Sequence, residues 1–134
     1  MRKPPKVPCG SCPYRRDVPA GIWHAEEYDL LPAYDGETFE QPPGLFLCHQ
    51  NDGCVCGGWL LTHDRDELLA LRLHAESLDP SVWDYAPDVQ VFASGAEAAA
   101  HGKSGIAEPC DAARRKIAGL IRQRAARERR KGEP

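Results

Sequence analysis

Cys9-Gly10-Ser11-Cys12, followed at a distance by Cys48-His49-Gln50-Asn51-Asp52-Gly53-Cys54-Val55-Cys56-Gly57-Gly58, decides how this chain folds. Two cysteines separated by two residues in a tight turn can aim both sulfurs at one ion about 2.3 Å away. Gly10 eases that turn, and Gly57 and Gly58 let backbone N–H groups approach and stabilise thiolate charge. Cys54 and Cys56 are two positions apart, so one of their sulfurs is favoured for an ion while the other packs or stays free. His49 follows Cys48 directly and, in extended chain, faces the opposite way. It ranks as a supporting or substitute ligand, as does His63, a lone histidine where a helix is expected to start.

The chain has 134 residues, enough for one domain and too few for two with proper cores. Twelve Gly, twelve Pro and 7% aromatics describe a loop-rich chain with a modest apolar core, which a bound ion would help to hold. No run of about 18 apolar residues is available to span a bilayer, and MRKPPKVPCG lacks the apolar stretch of a secretory signal. The expected compartment is therefore the cytoplasm, with no membrane partner. Reducing conditions there turn six cysteines toward metal or redox chemistry rather than disulfides.

The net charge of −3 hides a strong segregation. Five basic residues and no acid precede Asp17; from Asp17 to Cys110 there are seventeen acids against Arg65, Arg72 and Lys103; from Asp111 onward nine basic residues face three acids. Such an acidic middle repels nucleic acid, whereas the basic ends can touch phosphate or fold back on the body, and the self-neutralising arrangement is the commoner one.

Along the chain, Ile22, Trp23, Ala25, Tyr28 and Leu31 predict a short amphipathic helix stopped by Pro32. Residues 33–44 read as turns, and Leu45-Phe46-Leu47 as a brief strand-like run delivering Cys48. Asp64 and Glu67 resemble a capping box opening a helix to about Ser77, and Val82, Trp83 and Tyr85 an irregular aromatic turn. Ser94 and Glu97 open a second helix that Gly102 should end, and residues 110–131 form a long basic helix. Trp23, Trp59 and Trp83 are read as core anchors. The fold class is thus a small α-rich single domain, with irregular loops organised around a cysteine-ligated metal centre. Residues 1–107 are metal-centred, and residues 108–134 are a basic C-terminal helix and tail.

Cys9-x-x-Cys12-Pro13-Tyr14-Arg15, Asp17-Val18-Pro19-x-Gly21-Ile22-Trp23, Phe46-x-Cys48-His49 and Cys56-x-Gly58-Trp59 together resemble a family of short actinobacterial and actinophage proteins of unknown function. That family carries a CxxCP(F/Y)R start and a later CH…CxG(W/H) block. The resemblance covers about residues 8–75 and implies that Cys56 rather than Cys54 holds the family position. The preferred ligands become Cys9, Cys12, Cys48 and Cys56, with His49, Cys54 and His63 in reserve. The segment after Ala86 has no place in the resemblance, which supplies no reaction.

Zn²⁺ is the favoured ion, and a [4Fe–4S] cluster is the alternative, suggested by the Cys12-Pro13 junction and the wide spacing of the second block. A closed four-cysteine set leaves no open coordination position, so the reading leans away from an enzyme and nominates no catalytic residue. A structural module presenting charged faces to a macromolecular partner leads, with a weak nucleic-acid contact through the C-terminal helix. An iron–sulfur redox or regulatory sensor follows, and a hydrolase using His49, His63 or Asp64 comes last. His101-Gly102-Lys103-Ser104 is no phosphate loop, because Glu97 stands where the motif needs glycine. Cys9-Gly-Ser-Cys12 lacks the preceding core strand of a dithiol redox pair.

Overall fold

Two glycines set the closest approach between helices. Gly95 and Gly102 lie in helix α5 (Gly95–Ser104), against α1 (Ala25–Asp29) and the turn that follows it. A Cβ on Gly102 would fall 2.0 Å from the Tyr28 ring, and one on Gly95 would fall 2.1 Å from the Leu31 carbonyl oxygen. Gly102 therefore packs inside the helix, which continues to Ser104 instead of ending there. Asp35 clamps the start of α5 by accepting from the N–H groups of Gly95 (2.7 Å) and Ala96 (2.8 Å), and Ser94 accepts from Glu97 as the capping pattern predicts. Lys103, from the discarded phosphate-loop motif, pairs with Asp29.

The computed structural model describes residues 1–132, so the last two positions of the predicted tail lie outside the described residues. Further helices are α2 (Gly57–Thr62), α3 (Leu69–Leu73), α4 (Ser81–Asp84) and α6 (Asp111–Lys131). Single turns of 3₁₀ helix stand at Pro32–Asp35, Thr38–Glu40, Arg65–Glu67 and Ala75–Ser77. The domain is small and helix-rich, and the described residues contain no sheet, only isolated bridges pairing Arg2 with Leu78, Arg15 with Val91 and Leu47 with Val55. The first residues are woven between two later segments: Arg2 N–H donates to Ser77, Asp79 N–H to Arg2 and Val55 N–H to Lys3. No helix among the described residues is long and apolar enough to cross a membrane.

Three predicted elements come out differently. The helix expected from Ile22 starts only at Ala25, because Gly21 is left-handed (φ 84°) and the N–H groups of Ile22 and Trp23 turn to the Tyr28 hydroxyl, 3.2 Å from each. The helix expected from Asp64 to Ser77 breaks at Leu68, whose ψ of 114° is extended. Asp64 caps Asp66 alone, and α3 takes its cap from far away, the Leu69 N–H donating to the buried Gln41 side chain at 3.0 Å. Val82 and Trp83 form the short helix α4 rather than an irregular turn; the Arg65 guanidinium donates to the carbonyls of Val82, Trp83 and Tyr85 at its end.

The main core gathers Tyr14, Leu31, Val55, Trp59, Leu60 and Leu71, all fully buried, around α2 and α3. Of the three tryptophans only Trp59 is fully buried; Trp83 is 40% exposed. A second, smaller cluster joins Val18, Ile22 and Ala113 to Ile117 and Leu120 and seats α6, with Trp23 touching both clusters. The i, i+3, i+4 spacing of Ile117, Leu120 and Ile121 predicts one docking stripe on α6, but Ile121 faces outward.

Candidate four-cysteine centre

The two cysteine knuckles are built by local backbone bonds. Cys12 N–H donates to the Cys9 carbonyl at 3.1 Å, closing the first turn. Across the Leu47–Val55 bridge, Cys48 N–H donates to Cys54 (2.8 Å) and Cys56 N–H to Phe46 (2.9 Å), so the loop between them folds back as a second turn. Cys56 is the N-cap of α2, its sulfur accepting from Trp59 N–H at 3.5 Å. The fold thus brings Cys9, Cys12, Cys48 and Cys56 into one group.

Within that group the sulfurs form two pairs. Cys12 and Cys56 stand 3.8 Å apart, sulfur to sulfur, and both are buried. Cys9 and Cys48 lie close enough that each perturbs the other's thiol, and the Cys9 sulfur stands 3.7 Å from the Ser11 hydroxyl. The hydrogen bond from Cys9, helped by Asn51, holds the Cys48 thiol well below its ordinary pKa, while that same bond and burial push Cys9 up. Likewise the bond from Cys56, with the N–H groups of Tyr14 and Gly58, lowers Cys12, and burial followed by the bond to Cys12 raises Cys56. Cys48 and Cys12 are the two sulfurs that carry charge most readily. Among the described residues no three His, Cys, Asp or Glu side chains form a preformed metal cage.

Each donor to sulfur has a sequence reason. Asn51 bonds Cys48 through its N–H (3.4 Å) and its amide side chain (3.3 Å), as short polar residues do in turns. Gly58 can approach because it has no side chain: a Cβ there would lie 2.5 Å from the Cys12 sulfur. A Cβ on Gly57 would lie 2.3 Å from the buried Tyr85 hydroxyl, which has no hydrogen-bond partner among the described residues and whose ionisation is opposed by burial and then by Cys56. Arg15, forked onto Asp17 and bonded to the Pro8 carbonyl, lies in the field of Cys12 and Cys9.

The reserve residues are placed elsewhere in the neighbourhood. His49 lies against Trp23, ring centres 4.5 Å apart, and bonds Glu27 at 3.0 Å through Nε2, leaving Nδ1 buried with no partner among the described residues. His63 lies 3.8 Å from Asp35 and against the rings of Tyr14 and Tyr34. Cys54 lines a shallow groove with Arg2, Lys3 and Ser77.

Gln50 is the residue that sequence reasoning missed. Its side-chain oxygen accepts from the N–H (3.2 Å) and hydroxyl (2.8 Å) of buried Ser11, between the first two cysteines, and its amide donates to Gln123 of α6 at 3.1 Å. A glutamine in a cysteine loop carries no sequence signal of that reach. Beside it an open groove of about 650 Å³ runs between Gly10, Ser11 and Gln50 and the Arg115, Lys116 and Gln123 side of α6.

Neither a curated protein nor a solved structure matches the chain. The family described as "Family of unknown function (DUF6283)" matches residues 4–120, well past Ala86 and into α6. The chain belongs to that family, DUF6283.

Proposed function

We propose that this chain is a small metal-binding interaction module in which Cys9, Cys12, Cys48 and Cys56 hold one structural ion, Zn²⁺ in preference to a [4Fe–4S] cluster. The observation that carries the reading is the 3.8 Å separation of the Cys12 and Cys56 sulfurs. Sulfurs about 2.3 Å from a tetrahedral zinc are about 3.8 Å apart along each edge. A cubane cluster puts iron and sulfide between its cysteines and spreads them wider. The N–H donors from Asn51, Trp59 and Gly58 support the same reading, since thiolate ligands are commonly steadied by such bonds. Four thiolates around Zn²⁺ leave a charge of about −2, which Arg15 partly offsets. The ion's work is to join the two knuckles; the contact with a macromolecular partner falls to the basic helix α6.

Elemental analysis and a visible spectrum on anaerobically purified protein test the reading. Colourless protein with one zinc per chain is expected, lost on replacing Cys9, Cys12, Cys48 or Cys56 with Ser and retained in Cys54→Ser and Cys110→Ser. Brown, iron-containing protein would replace zinc by a cluster, and zinc retained by Cys12→Ser would sink the ligand set.

A further inference from the structure

Helix α6 meets the body with one side, through Ala113, Ile117, Leu120, Gln123 and Arg127. At 3.6 residues per turn the far side carries Arg122 and Arg129, with Arg115 in line with them at the rim of the groove beside Gln50, the three spaced about 10 Å apart along the rod. All three are exposed, and among the described residues none enters an ion pair or a side-chain hydrogen bond. Between them stand Ala118 and Ala125, short side chains that leave the line open to a flat approach.

We propose that this outer face of α6 binds the phosphate backbone of a nucleic-acid duplex, with Arg115, Arg122 and Arg129 each taking a phosphate. The inference rests on the reading of the chain as an interaction module and names its partner class and contact residues. Three features select a polyanion. Guanidinium groups match phosphate oxygens in pairs. The line lacks the aromatic or aliphatic anchors from which protein interfaces draw most of their energy; Ile121, 63% exposed, lies about a quarter turn away. A helix about 10–12 Å across also matches a major groove about 12 Å wide. The acidic middle of the chain repels the same partner over most of the body, and at the basic N-terminal end Arg15 and Arg16 are paired with Asp17 and Glu97 while Arg2 donates to the Gly53 carbonyl, which favours contact at the helix. A second copy of the chain offers acidic surface too, and its docking on the helix would show as self-association at low salt.

Fluorescence anisotropy of the full chain with a 20-base-pair mixed-sequence DNA duplex, from 50 to 200 mM NaCl, tests the proposal. Three phosphate contacts contribute about −2.7 to the slope of log K against log salt, or about 40-fold of affinity across that range. The triple variant R115A/R122A/R129A should lose that contribution. The charge-matched variant K6A/R72A/K103A, altered on the body, should keep it. An equal flattening in both variants, an unchanged slope in the helix variant, or low-salt self-association in place of DNA binding each overturns the proposal. Zinc content of the same stock separates the two readings: zinc-free protein that keeps the slope rejects the metal centre and spares the helix face.

Discussion

The guanidinium of Arg127 donates to the backbone carbonyl of Gln50 at 3.0 Å, tying the second half of α6 to the loop that follows Cys48. The same side chain pairs with Asp52 at 3.3 Å. From the sequence, α6 would dock by its first half alone, through Ile117, Leu120 and Ile121; the structure adds a polar latch one to two turns further on.

Replacing Gln50 with Ala is therefore expected to damage more than one contact. It strands the buried N–H and hydroxyl of Ser11 and frees Gln123, at a cost of about 1–3 kcal/mol. Denaturant unfolding reads the loss. Arg127→Ala, which cuts only the outer tie, should cost less, and an equal cost in the two variants would show that Ser11 does not depend on Gln50.

Gly58→Ala puts a methyl group 2.5 Å from the Cys12 sulfur and 2.6 Å from Tyr14 Cβ in a filled site. Alanine is the better helix former by about 1 kcal/mol, yet overpacking of this kind costs about 1–3 kcal/mol, so net destabilisation with weaker metal retention is expected. Thermal unfolding and competition with a chelator measure the two effects, and a variant as stable as the parent would mean that the helix start can shift at no cost.

Gly102→Ala makes a similar contest far from the cysteines, with the new Cβ inside the Tyr28 ring. Tyr28 is 2% exposed and its hydroxyl holds the N–H groups of Ile22 and Trp23, so it cannot swing aside freely. In denaturant unfolding the double variant Gly102→Ala, Tyr28→Ala should lose less stability than the two single variants added together, a non-additivity expected of residues in contact, and a strictly additive loss would show that the two do not collide.

Burial holds the His63 imidazole below its ordinary pKa, and the nearby Asp35 carboxylate only partly opposes this. The unfolded chain takes up that proton near pH 6.5, ahead of the folded one, so stability falls as pH drops below about 6.5 and levels off once the folded-state value is passed. Between pH 7.5 and 5 the melting temperature of the parent should fall more steeply than that of His63→Gln. Parallel curves would show that His63 does not set the dependence.

What could be read from the sequence follows the range of the forces involved. The first cysteine turn, the Ser94 cap and the basic helix are specified by neighbours within four residues, and each stands as expected. The helix at Asp64 came out broken because Gln41, from a distant turn, supplies the hydrogen bond that its own residues would have made. Gly102 reads as a stop by local rule, yet the Tyr28 ring decides its role. The resemblance read over residues 8–75 stopped short of the family match at 4–120 for a related reason: beyond Ala86 the chain packs against the first half and carries no cysteine motif of its own.

The weaving of Arg2 and Lys3 between residues 53–55 and 77–79 has a kinetic side. On a ribosome these first residues emerge early, but their partners at Ser77 and Asp79 follow some 75 residues later. At about 5–20 residues per second that is a wait of several seconds. Once Val55 has been added, 52 residues after Lys3, its N–H can bond the Lys3 carbonyl, whereas the bonds to Ser77 and Asp79 wait for 22 residues or more beyond it. Vectorial synthesis thus orders the assembly: the cysteine knuckles can close first, and the segment at Arg2 and Lys3 is locked in only after the chain has been made past Asp79.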